Sequence, residues 1–223
     1  MKSNKLLEVS GPLETGMWYY DWFYPPVVVE ELAPMLWKDG KGKTYGQKVS
    51  FGCQSGTYLA TGAHAYRDKP NISEVPLERF MVDAVIARVE AAPNEYITLE
   101  KVEKALHESG ETPSEGEALL IATGWDRYWN KSNYISESPG LKYDLVKWAL
   151  ERKVGILGAD IPSFDRDGRE NFFAEFFATD TLLLAPLINL TETAVSRAKL
   201  TALPLKIEKS CASPCRAFLE LDR

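Results

Sequence analysis

Between Cys53 and Phe80 the chain reads CQSGTYLATGAHAYRDKPNISEVPLERF, a stretch poor in core residues and rich in polar side chains. Its chemistry centres on His64, one of only two histidines, because an imidazole titrates near neutrality and can both take and give a proton. Gln54 and Tyr58 are donors suited to a developing oxyanion, and Thr57 or Ser55 to orienting a substrate. Thr61 joins them as a substrate-binding candidate. Gly56 and Gly62 let the backbone turn tightly or admit a close neighbour. Asp160, Glu175 and Asp180 are candidate carboxylate partners for the histidine. Cys53 is a nucleophile by type, but a buried small hydrophobe is the expectation for it.

Elements that would position these groups alternate between strand and helix. Met81–Glu90 reads as a strand, and Thr98 as the N-cap of a helix that carries Leu99, Val102 and Leu106 and ends near Gly110. His107 lies near that helix's C-terminus, where a surface electrostatic role is expected. Ala118–Thr123 is an apolar run typical of a strand buried on both faces. A helix over Leu141–Arg152 and a buried strand over Val154–Ala159 complete a βαβ unit, so parallel pairing with a right-handed crossover is predicted. Asp160 at the end of that strand is placed either for function, as in open α/β sheets, or to cap the following turn. Residues 166–180 alternate charge and Phe in helical fashion, Thr191–Leu200 is predicted as a short helix, and Leu203–Ile207 as a last buried strand closed by the tail. Residues 38–48 read as a solvated hairpin or loop. The run MWYYDWFYPP is too aromatic for one buried face, so Trp18, Trp22 and Phe23, with Trp125 and Trp129 further on, are candidate walls for a flat apolar ligand.

The loop also carries a family resemblance. Gly56, Thr57 and His64 keep the frame of H-x-G-T-H-x-D-x-P-x-H, the signature of the cyclase family, which includes bacterial kynurenine formamidase, isatin hydrolase and some polyketide cyclases. In order along the chain, Gly124-Trp125, Pro139-Gly140-Leu141, Gly158-x-Asp160-x-x-Ser163-x-Asp165, Asn189-Leu190, Pro204-Leu205-Lys206-Ile207 and Ser213-Pro214-x-Arg216-Ala217 resemble further family blocks. The resemblance implies a swivelling β/β/α fold, α/β in class, as one domain over 1–223 with a mixed central sheet. It also implies a homo-oligomer, dimer or tetramer, with the N-terminal aromatic segment walling the site. The divalent-metal positions depart from the pattern. Gln54 and Tyr58 stand where the family has two His, Ala60 where it has Asp, and Ala185 where it has Glu. An amide and a phenol do not offset the desolvation of a dication, so neither a metal nor another cofactor is expected.

Charge and composition narrow the partners. A net charge of −6 with no basic block argues against nucleic acid. No apolar run approaches a membrane span, and a cytoplasmic address is expected, with Cys53, Cys211 and Cys215 as ordinary reduced thiols. The function these residues support is metal-independent acid–base chemistry, namely cyclisation, dehydration or isomerisation, on a small aromatic or cyclic carbonyl compound. Amide hydrolysis would need an activated water or nucleophile as well. Two alternatives are a metal-dependent amide or lactone hydrolase with ligands relocated to Asp160, Asp165 and His64, and a non-catalytic ligand-binding protein.

Overall fold

A computed structural model of the chain describes residues 6–21 and 23–221; the predicted site residue Trp22 lies outside the described residues. Strands β1 (Leu6–Glu8), β6 (Tyr58–Ala60), β7 (Met81–Arg88), β9 (Ala118–Ala122), β11 (Ile156–Ala159), β12 (Leu182–Ala185), β13 (Arg197–Pro204) and β14 (Ala212–Glu220) form one mixed sheet. Four short strands, β2 (Val28–Glu31), β3 (Met35–Leu36), β4 (Lys43–Thr44) and β5 (Gln47–Ser50), build an arm of two stacked hairpin rungs. The remaining pair, β8 (Tyr96–Ile97) and β10 (Gly140–Leu141), is parallel. Helices α1 (Leu99–Ser109), α2 (Tyr143–Glu151) and α3 (Phe173–Ala178) complete the α/β fold.

The sheet closes on itself. Its order runs β14-β13-β7-β9-β11-β12-β6, and β6 pairs back onto β14 through Ala212–Pro214. The ring is parallel across β7, β9, β11 and β12 and antiparallel elsewhere. Side-chain alternation then divides the protein into two cores. Leu59, Ile86, Leu120, Ile156, Leu184, Leu200 and Leu219, one from each ring strand, fill the interior. Leu119, Ile121 and Leu157 face outward and are covered by Val102 and Leu106 of α1, Leu145 and Val146 of α2, and Phe176 and Phe177 of α3. The predicted βαβ unit is present, with β9 and β11 paired in parallel around α2. Thr98 caps α1 by accepting from the Lys101 amide at 3.4 Å, and Gly110 ends the helix at φ 68°.

Three expectations need correction. The helix predicted from Leu141 begins at Tyr143, because Gly140 and Leu141 are drawn into pairing with β8. Residues 191–200 are not a helix. A single turn over Leu190–Glu192 is followed by β13, which has partners on both edges, and Ala198, Leu200 and Ala202 alternate into the interior core. Tertiary pairing here outweighs a weak helical pattern. The buried strand predicted over Leu203–Ile207 is instead the exposed exit of β13, with Leu205 55% exposed beyond Pro204.

Two features of the closed sheet position the candidate loop. Gly56 adopts φ 59°, turning the chain into β6, and Gly62 packs so closely under α3 that a Cβ there would lie 2.6 Å from the Phe177 carbonyl oxygen. The pairing of β6 with β14 continues past both strand ends. The Thr61 amide donates to the Cys211 carbonyl at 2.9 Å and the Ile72 amide to the Ser210 carbonyl at 2.8 Å. This lays residues 210–211 alongside the loop that carries His64. Among the described residues no helix is long and apolar enough to cross a membrane.

Candidate active site

His64 closes a single 3-10 turn, Gly62–His64, whose N-cap Thr61 accepts from the Ala63 amide at 3.2 Å. Its imidazole packs on Phe177 of α3, ring centroids 4.9 Å apart at 49°, and faces a cleft. The outer part of that cleft encloses about 490 Å³ and is lined by Phe23, Tyr24, Cys53, Gln54, His64, Arg67, Lys209, Ser210 and Cys211. A smaller inner recess of about 120 Å³ shares Tyr24, Gln54 and His64 with it and is floored by Tyr20, Tyr58, Phe164, Phe173, Leu183 and Ala185. The outer volume is in the range that takes a small organic ligand.

Gln54 is only 6% exposed, and its side-chain Nε2 lies 3.3 Å from His64 Nδ1 and 3.6 Å from Cys211 Sγ. The Gln54 amide and His64 Nδ1 are within hydrogen-bonding distance, with the donor set by the imidazole tautomer. Partial burial lowers the pKa of His64 below its ordinary value, so the imidazole is a neutral base at neutral pH. Cys211 Sγ lies 3.7 Å from the same Nδ1. Burial raises the Cys211 thiol, while the Gln54 hydrogen bond and the Arg67 charge act in the opposite direction.

Tyr20 donates its hydroxyl proton to the Pro162 carbonyl, and the Tyr58 phenol lines the recess beside it. Burial pushes both phenols well above their ordinary range, so both stay protonated at neutral pH.

The other predicted site residues are held elsewhere. Asp160 is fully buried and lines neither part of the cleft; its carboxylate accepts from the Thr123 amide, the Thr123 hydroxyl at 2.6 Å and the Gly124 amide at 2.6 Å, which fixes the turn after β9. Glu175 accepts from the Tyr143 hydroxyl at 2.8 Å, and Asp180 pairs with Lys69 at 3.8 Å. None of these carboxylates faces His64. Thr57 points to the opposite side of β6, donating to the Pro186 carbonyl at 2.5 Å and accepting from the Gly11 amide at 3.0 Å. Thr61 is spent on its cap and on the Cys211 carbonyl at 3.3 Å. Trp125 is a core residue whose Nε1 donates to the Tyr134 carbonyl at 2.9 Å. Trp18 stacks edge-on against both Tyr20 and Trp129, at 5.5 and 5.2 Å between centroids. It thus joins the two aromatic groups of the sequence into one layer, of which Tyr20, Phe23 and Tyr24 reach the cleft. Of the predicted apolar walls, Phe23 stands at the rim, 69% exposed. Cys211, which sequence spacing did not single out, is the residue the structure adds.

The positions that the family signature assigns to metal ligands do meet at one place. Tyr58 and Ala185 are direct cross-strand partners of β6 and β12, with Ala60 opposite Leu183 two pairs along. With Gln54, which lines the same recess as Tyr58 and Ala185, these positions offer an amide, a phenol and two alanine methyls, a donor set that does not fit a divalent cation. Asp165, a relocated-ligand candidate, accepts from the Glu170 and Asn171 amides at 3.0 and 2.7 Å instead of joining His64. Among the described residues no group of three or more His, Cys, Asp or Glu side chains is placed to hold a metal ion.

Comparison with known proteins agrees with the fold. Residues 7–166 match the Cyclase family model, described as "Putative cyclase". A kynurenine formamidase of Bacillus anthracis is 23% identical over 98% of this chain and 99% of its own length. Two solved isatin hydrolases superpose closely: one bound to the product analogue thioisatinate (TM-score 0.84, 20% identity, covering 96% of this chain and 91% of that one) and isatin hydrolase A from Ralstonia solanacearum (TM-score 0.82, 20% identity, 96% and 91%). At such identities the structures establish the fold, and the family model establishes membership. The chain belongs to the cyclase family.

Proposed function

We propose that this protein is a metal-independent enzyme that uses His64 as general acid–base in the cyclisation, dehydration or isomerisation of a small aromatic or cyclic carbonyl compound. The observation that carries this reading is the convergence of the His64 imidazole and the buried Gln54 amide on one aromatic-walled cleft, while the family's metal positions hold Tyr58, Ala60 and Ala185. His64 Nδ1 takes a proton from the substrate and returns it to the rearranging or departing atom. Gln54 Nε2 and the protonated Tyr58 hydroxyl donate to oxygen as negative charge develops there. Phe23, Tyr24 and Tyr20 supply flat apolar contact, and Arg67 and Lys209 at the mouth favour a substrate that carries a carboxylate. The reading includes a soluble protein that does not engage nucleic acid.

The test is the pH dependence of kcat/KM for isomerisation (enolisation) of a small aromatic or cyclic ketone. Because His64 works as a neutral base with a pKa lowered from 6.5, activity is full above neutrality and falls on acidification with a midpoint below 6.5. An acid limb unchanged in a His64→Gln variant would contradict the assignment.

A homo-oligomer is part of the same reading. The tip of the β2–β5 arm exposes Met35, Leu36, Trp37 and Tyr45, each by more than half, and a second copy would bury that surface. Sedimentation is expected to give a dimer or tetramer, and a monomer mass at micromolar concentration would refute this part.

A further inference from the structure

The reading above gives the cleft a base and an oxyanion donor but no nucleophile, and the geometry points to one. We propose that Cys211 is a covalent nucleophile for which His64 is the base, so that the site catalyses acyl transfer to water through a thioester. This rests on the cleft being the active site and adds a reaction class to it.

Three placements support the proposal. Cys211 Sγ lies 3.7 Å from His64 Nδ1, within reach for a thiol proton, and Gln54 Nε2 lies 3.6 Å from the same sulfur. An oxygen forming next to that sulfur is thus close to an amide donor. All three side chains line the outer cleft, where Phe23 and Tyr24 offer a surface for the acyl compound's ring. The position of the thiol is fixed rather than incidental. The Cys211 carbonyl accepts from the Thr61 amide at 2.9 Å and the Thr61 hydroxyl at 3.3 Å, tying the cysteine to the turn that carries His64. Cys215, further along β14, lines neither part of the cleft. Cys53 lines the cleft, but none of its described hydrogen bonds involves His64.

The steps balance without an external oxidant, reductant or metal. The Cys211 proton passes to His64 Nδ1 as sulfur bonds to the carbonyl carbon, and the carbonyl π pair moves onto oxygen. That pair returns, breaking the carbon–nitrogen or carbon–oxygen bond, and the leaving atom takes the proton from His64. Water then loses a proton to His64 and attacks the thioester. The carbon–sulfur bond breaks, sulfur recovers the proton, and a carboxylic acid is released. The substrate class is a small aryl ester, lactone or amide.

The experiment uses the full chain with p-nitrophenyl acetate, following p-nitrophenolate release and the intact mass. A stoichiometric burst is expected, with one acetyl group that maps to Cys211 and is released by neutral hydroxylamine. Cys211→Ala and the more conservative Cys211→Ser are expected to lose burst and label, and Cys215→Ala, outside the cleft, to keep both. The wild-type label map needs no variant, so a folding defect in either Cys211 variant leaves the test intact. Acetyl on Cys53 or Lys209, or no label during turnover, would overturn the proposal. Loss of turnover in His64→Asn together with full turnover in Cys211→Ala would overturn the thiol step alone. Full turnover in His64→Asn would overturn the reading of the cleft itself.

Discussion

His64→Asn is expected to lower kcat/KM by roughly 10²–10⁴-fold, the range for loss of a positioned general acid–base group. This corresponds to about 3–5 kcal/mol of transition-state stabilisation at 1.36 kcal/mol per decade. Asn keeps a polar side chain of similar reach toward Gln54 but has no titratable nitrogen, so the geometry survives and the proton transfer does not. The thermal midpoint should scarcely move, because His64 is only partly buried at the cleft wall and its one ring contact is with Phe177. That contrast discriminates. A histidine serving the fold would lose stability on substitution, whereas a catalytic one loses turnover. Equal kcat/KM in wild type and variant, or a large fall in the midpoint, would be inconsistent with the role assigned here.

The largest effect on stability is expected at Asp160, away from the cleft. Asp160→Ala leaves the Thr123 and Gly124 amides buried without their acceptor. At about 1–3 kcal/mol for each orphaned group, the loss is roughly 3–5 kcal/mol, a large part of the 5–15 kcal/mol typical of a domain. Asp160→Asn retains one acceptor oxygen and should fall between the two. Burial pushes the Asp160 carboxyl up to about 7, against the donor hydrogen bonds that favour its charged form. The folded chain therefore binds this proton more tightly than the unfolded chain, where the group titrates near the ordinary carboxylate value of about 3.9. Its contribution to stability is complete below that value and is lost as pH rises toward 7. Urea midpoints measured between pH 4 and 8 check both statements. A wild-type midpoint in Asp160→Ala would show that the turn after β9 does not depend on this carboxylate.

Much of the fold was legible because its signals are local. The Thr98 cap, the αL Gly110 and the doubly buried Ala118–Ala122 each declare themselves within a few residues. β13 did not, because its strand character comes from β7 and β14 on its two edges rather than from its own pattern. Within the site, Gln54, Tyr58 and His64 come together through one short turn and strand, so a polar cluster in sequence becomes a cluster in space. Thr57, Thr61 and Trp125 had the right types, but their direction was set by strand alternation, capping and core packing, which polarity alone does not reveal. Cys211 was hidden for a different reason. It stands 147 residues from His64 and reaches it only because β14 closes the ring against β6. The same closure sets Tyr58 beside Ala185, bringing two of the family's ligand positions together in the recess that Gln54 and His64 also line.

The central claim is that catalysis here runs on side chains without a divalent metal. It is tested most directly by elemental analysis of the purified chain before and after dialysis against a chelator, with turnover measured on the same samples. The account predicts far less than one equivalent of Zn or Mn per chain and unchanged kcat/KM after chelation. Near-stoichiometric metal, with activity lost on chelation and restored by Zn or Mn, would contradict it and return the protein to the metal-dependent hydrolases.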